Sequence, residues 1–182
     1  EDPGYGKIRK IYAAGGVRCR PIPMDDQGLR IGDIGTAQVL HISPGHHFPT
    51  GLITPQKRRR EMLDWARKTG GFIIEDDYDT EFRFRGHPIP PMQALDPERV
   101  IYMNTFSKTL SPALRLGWIC GPRPAIEKIV LLKQGSDLHA STINQMVAQR
   151  IVAEDHEGRL ERLRASYRDK AAAMQAALAR HM

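Results

Sequence analysis

The segment spanning residues 100–120 constrains the fold most strongly, because a short polar loop connects two apolar stretches. Residues 100–106 are β-branched and aromatic, as a buried strand requires, and residues 116–120 have the same character. Parallel strands need a crossover of about a dozen residues or more, which this loop does not provide. The two stretches are therefore predicted to form antiparallel neighbouring strands.

The polar loop places two cations next to hydroxyl groups. Lys108 lies at the carboxyl end of the first strand, and Arg115 follows seven residues later. In an apolar pocket the amine of Lys108 would be neutral, the form that attacks carbonyls and makes Schiff bases. Thr105, Ser107 and Arg115 together suit a phosphate, because a guanidinium makes paired charged hydrogen bonds. The alternative is that both cations are ordinary solvated loop residues.

A second strand ends in an acidic cluster. Residues 71–79 begin as a short buried strand and run into Glu75, Asp76, Asp77 and Tyr78. Pyridoxal phosphate needs a carboxylate against its ring nitrogen and a lysine for its aldehyde. Because ligands of open α/β sheets bind at the carboxyl ends of strands, the two strand endings can converge on one crevice. A solvated loop or a metal site is the alternative, but carboxylates without a flanking histidine are weak evidence for a metal, and none is predicted.

Three motifs in a compatible order carry a family resemblance. They read Ser-Pro-Gly-His-His-Phe-Pro-Thr-Gly (residues 43–51), Glu-Asp-Asp-Tyr-Asp-Thr-Glu-Phe (residues 75–82) and Thr-Phe-Ser-Lys-Thr-Leu-Ser-Pro-Ala-Leu-Arg-Leu-Gly (residues 105–117). Together they resemble the aminotransferase-like domain of MocR-type regulators of the GntR superfamily, over essentially the whole chain. The resemblance implies an α/β fold, the incomplete large domain of pyridoxal-phosphate-dependent transferase fold type I, which is a three-layer α/β/α sandwich.

The resemblance also implies roles for individual residues toward pyridoxal 5'-phosphate. Lys108 would form the internal aldimine, and Asp76 would meet the pyridine nitrogen. Tyr78 would hydrogen-bond the ring hydroxyl, and Tyr5 would stack on the ring. The alternative for Tyr5 is a half-buried aromatic at a turn. The phosphate would be held by three polar side chains: Thr105, Ser107 and Arg115.

One departure from the catalytic pattern separates subfamilies. Aminotransferases of the aspartate type usually read Asn-Pro-Thr-Gly, and the asparagine touches the ring hydroxyl, whereas this chain has Phe48 at that position. Phe is common there in the regulators, so the change favours a sensor over a fast transaminase. His46 or His47 could supply a donor instead, although a structural role in the loop is favoured. His47 stands where the regulators often have Gln, which leaves its role open.

A basic run, residues 57–60, lies in a segment predicted to be a helix over residues 54–69. Thr54 is the predicted N-cap, Pro55 lies in the first turn and Gly70 ends the helix. The net charge of +6 would allow contact with nucleic acid. No helix-turn-helix signature is present, however, and a solvated helix face is the favoured interpretation of the cations. The residues predicted to face inward are apolar: Met62, Leu63, Trp65 and Ala66.

The remaining segments alternate between strand and helix patterns, which favours a parallel-rich sheet. Strands are predicted at residues 17–23 and 39–43, with turns at residues 24–36. Helices are predicted at residues 5–14, 124–134, 141–154 and 158–180. The last helix carries an apolar stripe that requires a partner surface: Leu160, Leu163, Tyr167, Ala171, Met174 and Leu178.

Composition favours a cytoplasmic piece of a longer protein. Cys19 and Cys120 do not make a disulfide framework, and no apolar run approaches the roughly 18 residues of a membrane span. The chain starts at Glu1 without an initiator methionine. The start is therefore expected to lie inside a longer protein, and the resemblance implies that residues 1–182 are a partial large domain. By resemblance, an N-terminal winged helix and a C-terminal small domain, which usually contributes the arginine for a substrate carboxylate, are expected outside this chain.

Three functions remain open from the sequence. The favoured one is the effector-sensing module of a MocR-like regulator, in which an amine or amino acid exchanges with Lys108 and DNA is bound by a domain outside this chain. The second is a class I aminotransferase that transfers amino groups between amino acids and 2-oxo acids. The third is a non-catalytic interaction fragment without cofactor. Family members usually form homodimers, so a homodimer is expected.

Overall fold

The computed structural model describes residues 1–83 and 89–181, which divide into two compact units. One unit comprises Glu1–Tyr78, Ile89–Asn104 and Trp118–Leu132. The other comprises residues 79–83, 105–117 and 133–181. Each unit has its own hydrophobic core.

Short strands alternate with helices through most of the chain. The strands are β1 (Met24–Asp25), β2 (Gly28–Leu29), β3 (Val39–Ile42), β4 (Phe72–Asp76), β5 (Val100–Thr105) and β6 (Gly117–Cys120). The α-helices are α1 (Gly6–Ala14), α2 (Gln56–Thr69), α3 (Met92–Leu95), α4 (Phe106–Thr109), α5 (Arg123–Ser136) and α6 (Thr142–His181). Three 3₁₀ helices cover Ile31–Asp33, Thr80–Phe82 and Pro112–Leu114.

Strands β3 to β6 form one sheet in chain order, and β1 and β2 pair as a separate antiparallel hairpin. β3, β4 and β5 run parallel, with His41 opposite Ile74 and Asp76 opposite Met103. The β3–α2–β4 connection is a parallel crossover through a helix, as the alternation of patterns predicts. The sheet is mixed, because its last strand reverses direction.

The reversal at β6 confirms the antiparallel pairing predicted from the short polar loop. At the beginning of the loop, the amide of Phe106 donates to the carbonyl of Leu116 at 3.0 Å. Beyond β6, Gly121 lies so close to Ile101 that an added Cβ would be 3.2 Å from its Cα. Antiparallel strands accept such a short connection, whereas parallel strands do not.

Helix α2 covers one face of the first unit with the residues that its periodicity predicts. Met62, Leu63, Trp65 and Ala66 are all buried, and they pack in a core with strand residues such as Ile73. The helix ends at Gly70, whose φ of 73° is left-handed and therefore suits glycine, as predicted. Cores of this kind follow directly from an apolar stripe with helical spacing.

The beginning of α2 differs from the prediction. The helix starts at Gln56 with Pro55 as its N-cap, and no side chain caps it, so Thr54 as N-cap is wrong. Thr54 is instead fully buried, where its hydroxyl lies against Gly28; a Cβ at Gly28 would be 3.0 Å from that oxygen. The side chain of Thr54 is therefore packed in the interior and does not cap the helix.

The cations of α2 do not all face solvent, contrary to the prediction. Arg59 is 1% exposed. Its guanidinium donates to the carbonyls of Thr54 at 2.9 Å and Pro44 at 2.7 Å, and it lies 3.8 Å from the carboxylate of Glu75. A buried cation costs much less when its donors are all engaged. The basic run of residues 57–60 therefore contains one buried residue, Arg59, and its charge gives no sign of that burial.

Residues 17–23 do not form the predicted strand. Only Pro23 makes an isolated bridge, with Asp2, and the strand begins at Met24. Pro21 and Pro23 have no N–H to donate, so a ladder cannot continue through them. Residues 24–36, predicted as turns, contain the β1–β2 hairpin and a 3₁₀ helix.

The long helical segment of the second unit consists of two helices that meet at a kink, as predicted. α6 runs from Thr142 to His181, but Asp155 has non-helical backbone angles at the predicted break. Its first half buries Ala148 and its second half buries Leu160. Further along the predicted stripe Tyr167 is 38% exposed, Ala171 is partly buried, and Met174 and Leu178 are exposed.

Candidate cofactor-binding site

Lys108 lies where the sequence predicts, directly after a strand. β5 ends at Thr105 and α4 starts at once, so Lys108 is in a single turn of helix at the carboxyl end of the strand. Its side chain is exposed and makes no hydrogen bond or ion pair to another residue in the described part of the chain. The described residues therefore leave the amine accessible and do not enclose it in an apolar pocket.

Two hydroxyl groups lie together beside Lys108. The Oγ1 atom of Thr105 accepts a hydrogen bond from the amide of Ser107 at 3.1 Å, which caps α4. The same oxygen is 2.9 Å from the Oγ atom of Ser107 and 3.2 Å from the carbonyl of Leu116. These contacts fix both hydroxyls at the start of the loop that contains Lys108.

Arg115 adds a cation at the end of that loop. The turn before it is closed by Ser111, whose hydroxyl accepts from the amide of Ala113 at 3.2 Å. Arg115 has φ 53° and ψ 39°, a left-handed conformation that costs a residue with a side chain about 1–2 kcal/mol. Its side chain is exposed and pairs with none of the residues that the structure describes. Strain at an unpaired cation is typical of a ligand-holding position.

Asp76 ends β4 and contacts a histidine on the neighbouring strand. The Nε2 atom of His41 lies 3.4 Å from Oδ2 of Asp76, and the other ring nitrogen of His41 is 2.7 Å from the hydroxyl of Tyr12. Burial raises the pKa of the Tyr12 phenol, and the nearby Cys19 and Asp76 raise it further. Both His41 and Asp76 are partly exposed, at 18% and 19% of their side chains.

Asp77 has a different set of partners. Its amide donates to the carbonyl of Met103 at 2.9 Å, and its Oδ2 atom accepts from the hydroxyl of Tyr102 at 2.7 Å. Asn104 in turn donates to that hydroxyl at 2.8 Å. Asp76 thus contacts a residue of β3, and Asp77 contacts a residue of β5.

Glu75, the first carboxylate of the cluster, is structural. It is 2% exposed and accepts hydrogen bonds from the amides of Met92 at 2.9 Å and Gln93 at 3.1 Å. Burial raises the pKa of Glu75, while the two amides and the Arg59 guanidinium counteract the rise. The acidic cluster therefore divides into one buried anchor and two carboxylates near the sheet edge.

Tyr78 and Tyr5 each contact the loop of residues 43–51. The hydroxyl of Tyr78 donates to the carbonyl of His46 at 2.9 Å, and the two rings stack at 6.3 Å between centroids. The ring of Tyr5 meets Phe48 edge-on at 6.0 Å, and both side chains are about half exposed. Tyr5 is therefore accessible next to Phe48, the residue that replaces asparagine, whereas Tyr78 lies against His46.

His47 is internal, unlike its neighbour His46. It is 1% exposed, and its Nδ1 atom lies 2.8 Å from the hydroxyl of Thr50. Nε2 is 3.5 Å from the carboxylate of Glu1. Burial lowers the pKa of His47, although the carbonyl of Pro3 opposes the shift. These contacts support the structural interpretation of His47.

Sequence reasoning missed two residues of this region, Tyr12 and His41. One signal could have indicated His41: in β3 it alternates with Leu40 and Ile42, which are both buried. The period of two therefore turns His41 away from the core and toward the open face of the sheet. Tyr12 carries no comparable signal, because its contact with His41 spans 29 residues.

Residues 1–83 and 89–181 contain neither a metal-binding cluster nor a membrane-spanning helix. No group of three or more His, Cys, Asp or Glu side chains is arranged there to hold a metal ion. Within the same residues, no helix combines the length and apolar character needed to cross a membrane. The two cysteines, Cys19 and Cys120, are both free and exposed.

Comparison with known families gives a match over nearly the whole chain. Residues 1–181 match the family described as aminotransferase class I and II. The HTH-type transcriptional regulator YdeL of Bacillus subtilis (strain 168) is 40% identical over 189 residues, which is 100% of this chain and 40% of the relative. The probable rhizopine catabolism regulatory protein MocR of Rhizobium meliloti is 31% identical over 100% of this chain and 38% of its own.

An enzyme of known structure is also similar. LysN, the alpha-aminoadipate aminotransferase from Thermus thermophilus, was solved in complex with N-(5'-phosphopyridoxyl)-L-leucine. It superimposes with a TM-score of 0.91 and 32% identity, over 98% of this chain and 48% of the enzyme. The chain thus spans less than half the length of these relatives.

Proposed function

Because the chain belongs to the aminotransferase class I and II family and has its fold-type-I α/β fold, as predicted, we propose that it is the pyridoxal 5'-phosphate-binding, effector-sensing module of a MocR-like transcriptional regulator. The observation that carries the proposal is the loop of residues 105–117. It presents an accessible amine at Lys108 and a strained, exposed guanidinium at Arg115. Relatives of both kinds, regulators and aminotransferases, match this chain.

The residues present suit the cofactor in their donor chemistry. Lys108 and Arg115 have no partner among the described residues that would compete with a ligand. Asp76 has one carboxylate oxygen engaged by His41 and the other without a partner in the described chain. When bound, the cofactor supplies a protonated pyridine ring that withdraws electrons from an attached amine. A lysine, a phosphate-binding cation and a carboxylate are what such a ligand requires.

Each side chain would have a distinct task. Lys108 would bind the aldehyde carbon, and Asp76 would accept the ring N–H and stabilise its positive charge. Tyr78 would hydrogen-bond the ring hydroxyl through the oxygen whose proton goes to the carbonyl of His46, and Tyr5 would cover the ring face. The phosphate would be bound by the remaining members of the loop, namely Thr105, Ser107 and Arg115.

Phe48 favours sensing over rapid turnover. Its side chain is 51% exposed next to Tyr5, at the position where catalytic relatives have an asparagine amide. A phenyl ring cannot donate a hydrogen bond, so the ring hydroxyl would depend on Tyr78. An amine or amino-acid effector would then compete with Lys108 for the cofactor. The resulting change would alter DNA binding by a domain outside this chain, in a cytoplasmic homodimer.

A class I aminotransferase is the second candidate, and the likeness to LysN at 32% identity favours it. In that case Lys108 would also move a proton to and from the α-carbon of the substrate. The same residues serve both functions, so only turnover and DNA binding separate them.

The experiment uses the full-length protein with pyridoxal phosphate and borohydride reduction. Cofactor should become covalently trapped, and Lys108→Ala should abolish trapping while Lys128→Ala, an exposed lysine of α5, should not. Undiminished labelling of Lys108→Ala would overturn the assignment. The unreduced protein is then given amino acids and 2-oxoglutarate: an effector-dependent change in promoter affinity with little glutamate supports the regulator. Transamination at about 1 s⁻¹ or faster without DNA binding supports the enzyme.

A further inference from the structure

Three side chains from three elements form a continuous chain of contacts in the first unit. The hydroxyl of Tyr12 on α1 lies 2.7 Å from Nδ1 of His41 on β3, and Nε2 of His41 lies 3.4 Å from Oδ2 of Asp76 on β4. The rings of Tyr12 and His41 also meet edge to face at 5.7 Å. The phosphate, lysine and ring-stacking roles proposed above use neither Tyr12 nor His41.

Hydrogen-bond chemistry gives this chain of contacts a direction. A carboxylate only accepts, so Nε2 of His41 must carry the hydrogen that faces Asp76. A neutral imidazole then accepts at Nδ1, where the Tyr12 hydroxyl is the donor. The raised pKa of Tyr12 keeps that phenol protonated, as a donor must be. Tyr12 thereby fixes the tautomer of His41 in which Nε2 donates.

The contact with His41 engages one carboxylate oxygen of Asp76 and leaves the other available. Only Oδ2 is engaged by a residue that the structure describes, while 19% of the side chain remains accessible. Two further groups act on this region: Glu1 interacts electrostatically with both His41 and Asp76, and Cys19 does so with Tyr12. Neither accepts from Nε2 in place of Asp76.

We propose that Tyr12 and His41 are positioning residues that orient Asp76 toward the cofactor ring nitrogen. The inference rests on the proposed function, because it assigns Asp76 to that nitrogen. It extends the site to α1, the helix that begins directly after Tyr5. Tyr5, the N-cap of α1, would cover the cofactor ring, and Tyr12 within α1 would orient His41.

Removing either group should reduce protonation of the ring nitrogen. Without the His41 donor, Asp76 is less fixed, so its hydrogen bond to the ring N–H weakens. His41→Phe should weaken pyridoxal phosphate binding by about tenfold, the scale of a hydrogen bond to a charged group. Tyr12→Phe keeps the ring contact and should have a smaller effect in the same direction.

The experiment records the ¹⁵N resonance of ring-labelled pyridoxal phosphate bound to the full-length protein across a pH series. Wild type should show a protonated nitrogen at neutral pH, and both variants should move the resonance and its titration toward the neutral ring. His41→Gln should restore part of the signal, because its amide donates to Asp76. Adding Tyr12→Phe to His41→Gln should then change nothing, since an amide has no tautomer to fix.

A matched control lies on the neighbouring carboxylate. Tyr102→Phe removes the hydroxyl that donates to Asp77 at 2.7 Å, and it should leave the ¹⁵N signal unchanged. If wild type takes up no cofactor, the proposed function fails. If wild type binds but His41→Phe and Tyr12→Phe stay within about twofold in affinity with an unchanged resonance, the positioning role is wrong. Should His41→Phe not fold, Tyr12→Phe alone decides.

Discussion

Arg59 and Glu75 face each other at 3.8 Å in the interior, with only 2% and 3% of their side chains exposed. Arg59 also donates to the carbonyls of Thr54 and Pro44, so it joins α2 to both ends of the loop that contains residues 43–51. Glu75 accepts from the amide of Met92 at the start of α3. The buried pair therefore ties that loop and α3 to the strand that ends in Asp76.

Truncating Arg59 should be strongly destabilising. Arg59→Ala leaves Glu75 without its cation and several carbonyls without donors, and breaking a buried pair costs about 3–5 kcal/mol. Urea unfolding of the full-length protein measures the loss. Arg60→Ala is the matched control, because Arg60 is exposed on the same helix and should stay within about 0.5 kcal/mol. Equal midpoints for the two variants would contradict the structural role of Arg59.

Local features of the fold could be predicted from the sequence. The apolar spacing of α2, its glycine stop and the reversal between β5 and β6 all depend on a few adjacent residues. The position of Lys108 just after β5 could also be predicted from adjacent residues. These features depend on the periodicity of apolar residues and on steric effects between near neighbours, and both can be recognised in a single sequence.

The missed features depend on contacts between distant segments. His41 meets Asp76 across 35 residues and Tyr12 across 29, so no window of sequence contains the network. Arg59 is predicted at the surface because its burial depends on carbonyls that only the folded chain brings together. The prediction of a strand at residues 17–23 was wrong because it gave more weight to the apolar residues than to Pro21 and Pro23, which cannot donate to a ladder. The proposed roles of the site residues themselves remain predictions.

His47 should make stability depend on pH. Burial lowers its pKa in the folded state, so the unfolded chain binds the proton more tightly. Stability is therefore fully present above the unfolded value of about 6.5 and is lost as pH falls from there toward the folded pKa. His47→Gln should reduce the fall in unfolding free energy between about pH 7 and pH 5, measured with urea. His46→Gln is the matched substitution at an exposed neighbour. An unchanged slope in His47→Gln would show that another group titrates.

Arg115 should separate folding from ligand binding. Arg115→Gly relieves the left-handed backbone, so the free energy of unfolding in urea should stay unchanged or rise by up to about 1 kcal/mol. Affinity for pyridoxal phosphate should fall by about 10- to 100-fold, because paired charged hydrogen bonds are lost. Pyridoxal, which has no phosphate, is the control ligand, and its affinity should not change. A similar loss for both ligands would place Arg115 elsewhere than at the phosphate.

The two adjacent aspartates should respond differently to the same substitution. Asp76→Asn removes the counter-charge of the ring nitrogen, so cofactor binding should weaken by about tenfold or more. Asp77→Asn keeps an oxygen that can accept from Tyr102 and should stay within about threefold. Fluorescence titration of the full-length protein with pyridoxal phosphate gives both dissociation constants. Damage from Asp77→Asn with none from Asp76→Asn would reverse the assignment.

Phe48 offers the sharpest test of sensor against enzyme, because one substitution restores the amide found in catalytic relatives. Phe48→Asn supplies a donor toward the ring hydroxyl, and a hydrogen bond to a charged oxygen corresponds to roughly 10- to 100-fold in rate. Glutamate formation from 2-oxoglutarate should rise by that factor, while the effector's influence on DNA affinity weakens. Phe48→Ala is the matched control: it removes the edge contact with Tyr5 without adding a donor. If the alanine variant gains as much activity as the asparagine variant, the missing amide is not what limits turnover, and the sensor assignment loses its main support.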